Sequence, residues 1–272
     1  MFEIDINTYY QDIETGEFPG LSNSEYYSLK ALNSSSLKFG EKSPLHTDLA
    51  LNNKLKSIKK EFDYGAEFHY MLFEPETFEK EYYISDKHLG NKLKTDKEQK
   101  AFELVIKGKG RSRIDVREGT KMKRSIESLN QHPLIRDLIE QKGTIETTLV
   151  WKDSFTRLNC KAKFDKLIHD DFIIDLKTTK DACKHHFSKD FKNYNYAIQA
   201  AFYLDGYKTL FGEDKKIEFV FIAIDKEEPY LCELYEVSEK TLNEAREKYR
   251  KYMMNWIEYK NNPSILYSPK TL

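Results

Sequence analysis

Between residues 144 and 178 the chain abandons helical spacing for alternation, and that block constrains the fold more than any other stretch. Three runs, 144–151 (TIETTLVW), 157–165 and 172–178, are separated by short polar turns. Alternation of this kind marks strands with one buried face, and runs joined so closely predict a meander.

The second and third runs also carry chemistry. In KAKFDKLIHDDFIIDLKTT, Asp165 is followed ten positions later by Asp175-Leu176-Lys177. Side chains at i and i+2 of a strand share a face. Asp175 and Lys177 therefore project together, and Asp165 joins them if its strand is the neighbour. Carboxylates are hard oxygen ligands suited to Mg²⁺, and a nearby lysine can hold or activate a water. Such a patch suits phosphodiester hydrolysis. A salt-bridged pair of strands explains the same residues, and the triplet alone does not decide between the two.

Helical spacing brackets the block. Residues 194–211 read as an amphipathic helix closed by Gly212, followed by strands over 217–224 and 230–237. A last helix over 239–260 places Leu242, Ala245, Tyr249, Met253 and Trp256 on one core face. Upstream, residues 1–30 read as irregular, and residues 32–37 as a helix start with a serine cap. Ser43-Pro44 opens a further segment, and 65–73 (GAEFHYMLF) is a buried helix stopped by Pro75. Residues 87–130 read as mainly helical, up to His132-Pro133. The expectation is a single α/β domain over 1–272, with a helical part over 1–140 and an αβ core over 141–272.

With 39% hydrophobic and 14% aromatic residues, 272 residues bury a substantial core. The net charge of −1 hides segregation: residues 87–124 hold thirteen Lys/Arg against five Asp/Glu. Lys54, Lys56, Lys59 and Lys60 form a second basic knot. Such patches attract phosphate backbones, and they equally describe a solvated face. Three scattered cysteines, Cys160, Cys183 and Cys232, give no disulfide framework, zinc site or four-thiolate cluster. The polar start MFEIDINTYYQD is no signal peptide, and no run reaches membrane-span length, so the expected location is the cytoplasm, with no membrane partner.

Three further positions stand out. Glu146, on the first run with Thr144 and Thr148, is a secondary candidate for the acidic patch and equally an outward strand residue. Gln199 and Tyr203, four apart on the 194–211 helix, share a face among apolar neighbours. His69 is a single imidazole on an apolar helix, of interest only beside a metal site.

In this order, LNSSSLKFGEKSP, GAEFHYMLFEPETFEKEYYI, IETTLVWKD, RLNCKAKFDKLI with DLKTT, and QAAFYLDGY resemble the PD-(D/E)xK nuclease superfamily and, within it, the RecE-type exonucleases. The resemblance implies a restriction-endonuclease-like core, a central mixed sheet flanked by helices. It implies Asp165 and Asp175 as metal-binding carboxylates, Lys177 as the catalytic lysine, the Leu176 carbonyl in the inner sphere, and His69 as a further ligand. Gln199 and Tyr203 match the Q-x-x-x-Y motif that positions DNA, and Glu146 matches an acidic residue on the first core strand. The implied cofactor is Mg²⁺, with Mn²⁺ as substitute. Relatives with an iron–sulfur cluster use four cysteines, so none is expected here. The implied activity is exonucleolytic degradation of linear duplex DNA, 5′→3′, in phage-type recombination. A homo-oligomeric ring around DNA ends and a single-strand annealing partner come with it. A DNA-binding protein without catalysis, and a RecB/Cas4-like single-strand nuclease, remain the alternatives.

Overall fold

A six-stranded mixed sheet organises the chain, and the alternating block is its centre. The structure is a computed structural model and describes residues 5–52, 54, 55, 59–84 and 111–267. In chain order the described elements begin with β1 (Gly16–Phe18), α1 (Asn23–Ser28), α2 (Ser34–Leu37) and a 3₁₀ turn over Lys38–Glu41. Then come α3 (Pro44–Leu51), α4 (Lys59–Phe73), α5 (Pro75–Glu81), β2 (Tyr82–Ile84) and β3 (Ser112–Ile114). These are followed by α6 (Val116–Gln131), α7 (Pro133–Glu140), β4 (Thr144–Lys152), β5 (Asn159–Ile168) and β6 (Phe172–Thr179). The remainder is α8 (Lys184–Asn193), α9 (Tyr196–Phe211), β7 (Glu218–Asp225), β8 (Cys232–Glu236) and α10 (Glu239–Asn261).

The main sheet runs β1-β4-β5-β6-β7-β8. β4, β5 and β6 form the antiparallel meander, β7 joins β6 in parallel, and β8 returns antiparallel on β7. The parallel join requires a crossover, which α8 and α9 supply. One face carries α9, α10 and the α2–α3 region over a core that includes Phe164, Phe202, Tyr203, Phe221 and Trp256. The other face is closed by α4, α6 and α7 around Phe68, Met122, Ile174 and Leu176. The fold is thus the mixed α/β architecture that the spacing predicts.

Capping chemistry sets many of the boundaries. Ser43 caps α3 with Pro44 at its first position, and Ser238 caps α10. Gly212, at φ +124°, ends α9. The cap of α2 is Asn33 rather than a serine; its side chain accepts the Ser36 N–H. Two strand lysines with little exposure satisfy carbonyls near helix ends. Lys161 donates to the carbonyls of Tyr26 and Leu29 at the end of α1, and Lys166 donates to the Ile139 carbonyl in α7.

Several expectations need correction. Residues 1–30 are not irregular throughout: β1 pairs with β4 at the sheet edge, and Ser22 with Glu25 closes a capping box on α1. β1 is three residues long, too short to show a period. The N-terminal part is mainly helical as expected, and it also holds β2 and β3, a parallel two-stranded sheet. α8, short and polar, escaped the reading. α9 is buried from Ile198 to Leu204 without interruption, so it is a core helix rather than an amphipathic one. Residues 85–110, most of the basic stretch, and Lys56 of the basic knot lie outside the described residues. No described helix is long and apolar enough to cross a membrane.

Candidate active site

The meander breaks its own regularity where the acidic residues sit. The β5–β6 ladder runs from Ile168↔Phe172 to Lys166↔Ile174 and stops there. One step further, Asp165 accepts the Leu176 N–H through Oδ2 at 2.7 Å, a side-chain bond where a ladder bond would fall. On β4, Glu146 adopts φ +49°, in the left-handed region. Ile145 packs with the Leu176 layer, whereas Leu149, four residues on, packs in the opposite core. Phe164 and Leu167 on β5 share a core although three apart. Both strands change phase here, so Glu146 does not simply alternate with Thr144 and Thr148. The opening past Lys166 is partly filled by Leu32, which makes a parallel bridge to Cys160 on the β5 edge that β4 leaves free.

Three donors converge at this break. His69 of α4 lies with Nδ1 3.6 Å from Asp165 Oδ1 and 3.7 Å from Glu146 Oε1, and its Nε2 is 3.1 Å from the Leu176 carbonyl. His69, Glu146 and Asp165 offer ligand atoms all within 4.8 Å of one another. The second carboxylate, Asp175, is 2% exposed on the α9 side of the sheet. Its Oδ1 accepts the Gln199 amide at 2.5 Å, and its Oδ2 lies 2.5 Å from Lys177 Nζ. That Oδ2 is buried, and the Lys177 ammonium is its partner.

The electrostatics describe a crowded acidic site. Burial, together with the Asp175 and Glu146 carboxylates, pushes Asp165 up to about 7 against the pull of His69. Burial alone would lower His69, but Asp165 and Glu146 outweigh it and raise the imidazole to about 9. For Lys177, burial is likewise outweighed by Asp175, which holds the ammonium above its ordinary range. His69 sits among carboxylate and carbonyl oxygens, and the Asp175–Lys177 pair stands on the α9 side. Hard oxygen donors gathered this closely fit a divalent cation.

The sequence-derived residues thus fall into two connected groups. His69, Glu146, Asp165 and the Leu176 carbonyl face one another across the break, and Asp175, Lys177 and Gln199 stand on the α9 side. Tyr203 is 7% exposed; its ring packs 4.6 Å from Phe164 and backs Gln199 from within the core. Three residues were missed. Lys163 pairs with Glu146 at 3.6 Å, Tyr196 stands with its ring 4.8 Å from Lys177 Nζ, and Lys38 donates to Gln199 Oε1 at 3.4 Å. Tyr196 precedes Gln199 by three, a helical spacing that marks it as a neighbour. Lys38 carries no local signal. A separate trio, Asp181, Cys183 and His186, comes together at the start of α8, where Asp181 binds the Cys183 N–H and pairs with His186. Local capping accounts for it.

A mixed sheet that parts beside a D…D-x-K set, with a helical histidine against the gap, defines a PD-(D/E)xK-type nuclease core. Residues 33–264 match the family model described as a PDDEXK-like domain of unknown function (DUF3799), and the chain belongs to that family. No curated protein matches the chain significantly. Among solved structures, a protein from Eubacterium rectale described as a "putative exonuclease" superposes with a TM-score of 0.60 at 16% identity, covering 89% of this chain and 86% of that one. At that identity the likeness speaks for the fold.

Proposed function

We propose that the protein is a metal-dependent exodeoxyribonuclease that degrades linear duplex DNA. The observation that carries the reading is the buried Asp175–Lys177 pair beside the His69–Glu146–Asp165 cluster, within a PDDEXK-like chain. His69, Glu146, Asp165, the Leu176 carbonyl and Asp175 would hold Mg²⁺, with Mn²⁺ as substitute. When bound, such a cation lowers the pKa of a water and offsets charge on the phosphate.

The chain's own groups do the rest. Gln199 fixes Asp175 through its Oδ1 and leaves Oδ2 toward Lys177. Lys177, paired with Asp175, serves as a donor that orients the attacking water and offsets transition-state charge. Tyr203 and Phe164 back the Gln199 side and exclude water behind it. Polarity 5′→3′, a ring of copies around the DNA, a single-strand annealing partner, a role in phage-type recombination and a cytoplasmic location complete the reading, on the RecE-like motif order alone.

The test uses linear duplex labelled at either 5′ or 3′ end, beside a covalently closed circle, with Mg²⁺, with chelator, and with Lys177→Ala. Release of mononucleotides from linear DNA alone, lost with chelator and with Lys177→Ala, is the expected result. Cutting of the circle would instead mean an endonuclease. Binding without any cutting would leave a DNA-binding module.

A further inference from the structure

Among the described residues, Lys38 is the charged group beside Gln199 and Asp175 to which the reaction above gives no task. Its position is built from several directions. The Leu32–Cys160 bridge anchors the chain to β5, Asn33 starts α2, and the 3₁₀ turn over Lys38–Glu41 follows. Asn195, in the left-handed region at φ +52°, donates its side-chain amide to Glu41 at 2.8 Å, tying this turn to the start of α9. Gly40 is pressed against α10 so closely that an added Cβ would lie 2.5 Å from Tyr252 Cβ.

The charge so held lacks a counterpart. Lys177 has Asp175, but no carboxylate among the described residues comes within ion-pair distance of Lys38. Its neighbours are the neutral Gln199 Oε1 at 3.4 Å and the Tyr196 ring at 5.3 Å. Lys177 Nζ stands 4.8 Å from the centre of the same ring, so two ammonium groups flank one tyrosine. Burial and the Lys177 charge push the Lys38 pKa down to about 7, with Asp175 offsetting part of the effect. A half-buried cation beside another cation is unfavourable until an anion arrives. Lys177 and the other cations here already face carboxylates, so Lys38 is the one left beside them to meet a phosphate among the described residues.

We propose that Lys38 is a phosphate-binding positioning residue, whose ammonium holds a phosphate oxygen of the DNA strand on the Lys177 side of the site. The inference rests on the nuclease reading for its ligand, and its test does not require cutting. Binding of a short fluorescent duplex would be followed by anisotropy in chelator, over a range of salt concentrations, for wild type, Lys38→Met and Lys38→Arg. Lys38→Met is expected to weaken binding roughly tenfold and to lower the salt slope by about one, and Lys38→Arg to recover most of both. In Mg²⁺ the loss should fall on KM more than on kcat. Duplexes with a 5′-phosphate or a 5′-hydroxyl separate the sources: a loss confined to the first means a terminal phosphate, an equal loss an internal one. Thermal melting checks the fold, and Lys38→Gln replaces the Met variant if that one unfolds. Unchanged affinity and salt slope in Lys38→Met would overturn the proposal even if the enzyme cuts DNA. A wild type that binds DNA but cuts nothing with Mg²⁺ or Mn²⁺ would sink the nuclease reading and leave the Lys38 comparison standing. A wild type that does neither sinks both.

Discussion

Gln199 joins the two signs of charge in the site, with its amide on Asp175 and its carbonyl toward Lys38. Replacing it by leucine strips a buried carboxylate oxygen of its donor, at a cost of about 1–3 kcal/mol. Gln199→Leu should therefore lower the thermal midpoint and reduce DNA cleavage by at least an order of magnitude. A variant that melts lower and cuts at the wild-type rate would mean that Gln199 only holds the fold. Asp175 and Lys177 were legible as neighbours because strand alternation puts i and i+2 on one face. Asp165 and Gln199 stood out by their order in the motif set, since β5 changes phase at Asp165 and α9 is buried all round. Lys38 did not stand out, since its partner lies 161 residues away and nothing near it in sequence points there. The left-handed turn at Glu146 was hidden too, because it is set by contacts across the sheet and not by residue type.

Between strands and helices, close approach places α9, and α9 places Gln199. A Cβ added to Gly206 would fall 2.7 Å from the Trp151 indole, which is itself buried against Phe202. Gly206→Ala should push the helix from β4, costing about 1–3 kcal/mol, with cleavage falling alongside stability. Calorimetry and single-turnover cleavage of the same preparation check both. On β5, Lys161 is 3% exposed, and burial, with Lys30 nearby, brings its pKa down to about 8. Above that value the folded chain releases a proton that the unfolded chain still binds, so stability rises with pH up to the ordinary lysine range. The full effect is on the order of 3 kcal/mol. Between about pH 8 and the ordinary lysine range, urea midpoints of Lys161→Met should climb less, or fall more, than those of wild type. Equal slopes would remove Lys161 as the cause. The strands were readable from alternation; the helix-to-sheet distance was not, because a glycine in a helical run looks like any other helical glycine.

An early helix, α3, and the last one, α10, meet on Asp48. Trp256 Nε1 donates to its Oδ1 at 3.2 Å, and Lys260 Nζ stands 3.2 Å from the same oxygen. All three groups are nearly buried, so Asp48→Ala would leave an unpaired ammonium and cost about 3–5 kcal/mol. Because α3 follows directly on the turn that carries Lys38, DNA affinity should fall together with stability. Lys260→Met with Asp48→Leu should restore much of the stability, and a double variant no better than Asp48→Ala would count against this account. The clamp spans 208 residues, from α3 to α10. A growing chain on the ribosome exposes the acidic strands long before Trp256 emerges. Until then the N-terminal turn is held beside them by the Leu32–Cys160 bridge and the contacts of α9. Synthesis therefore seats the turn in two stages, first on the strand and α9, and finally when α10 closes on Gly40 and Asp48.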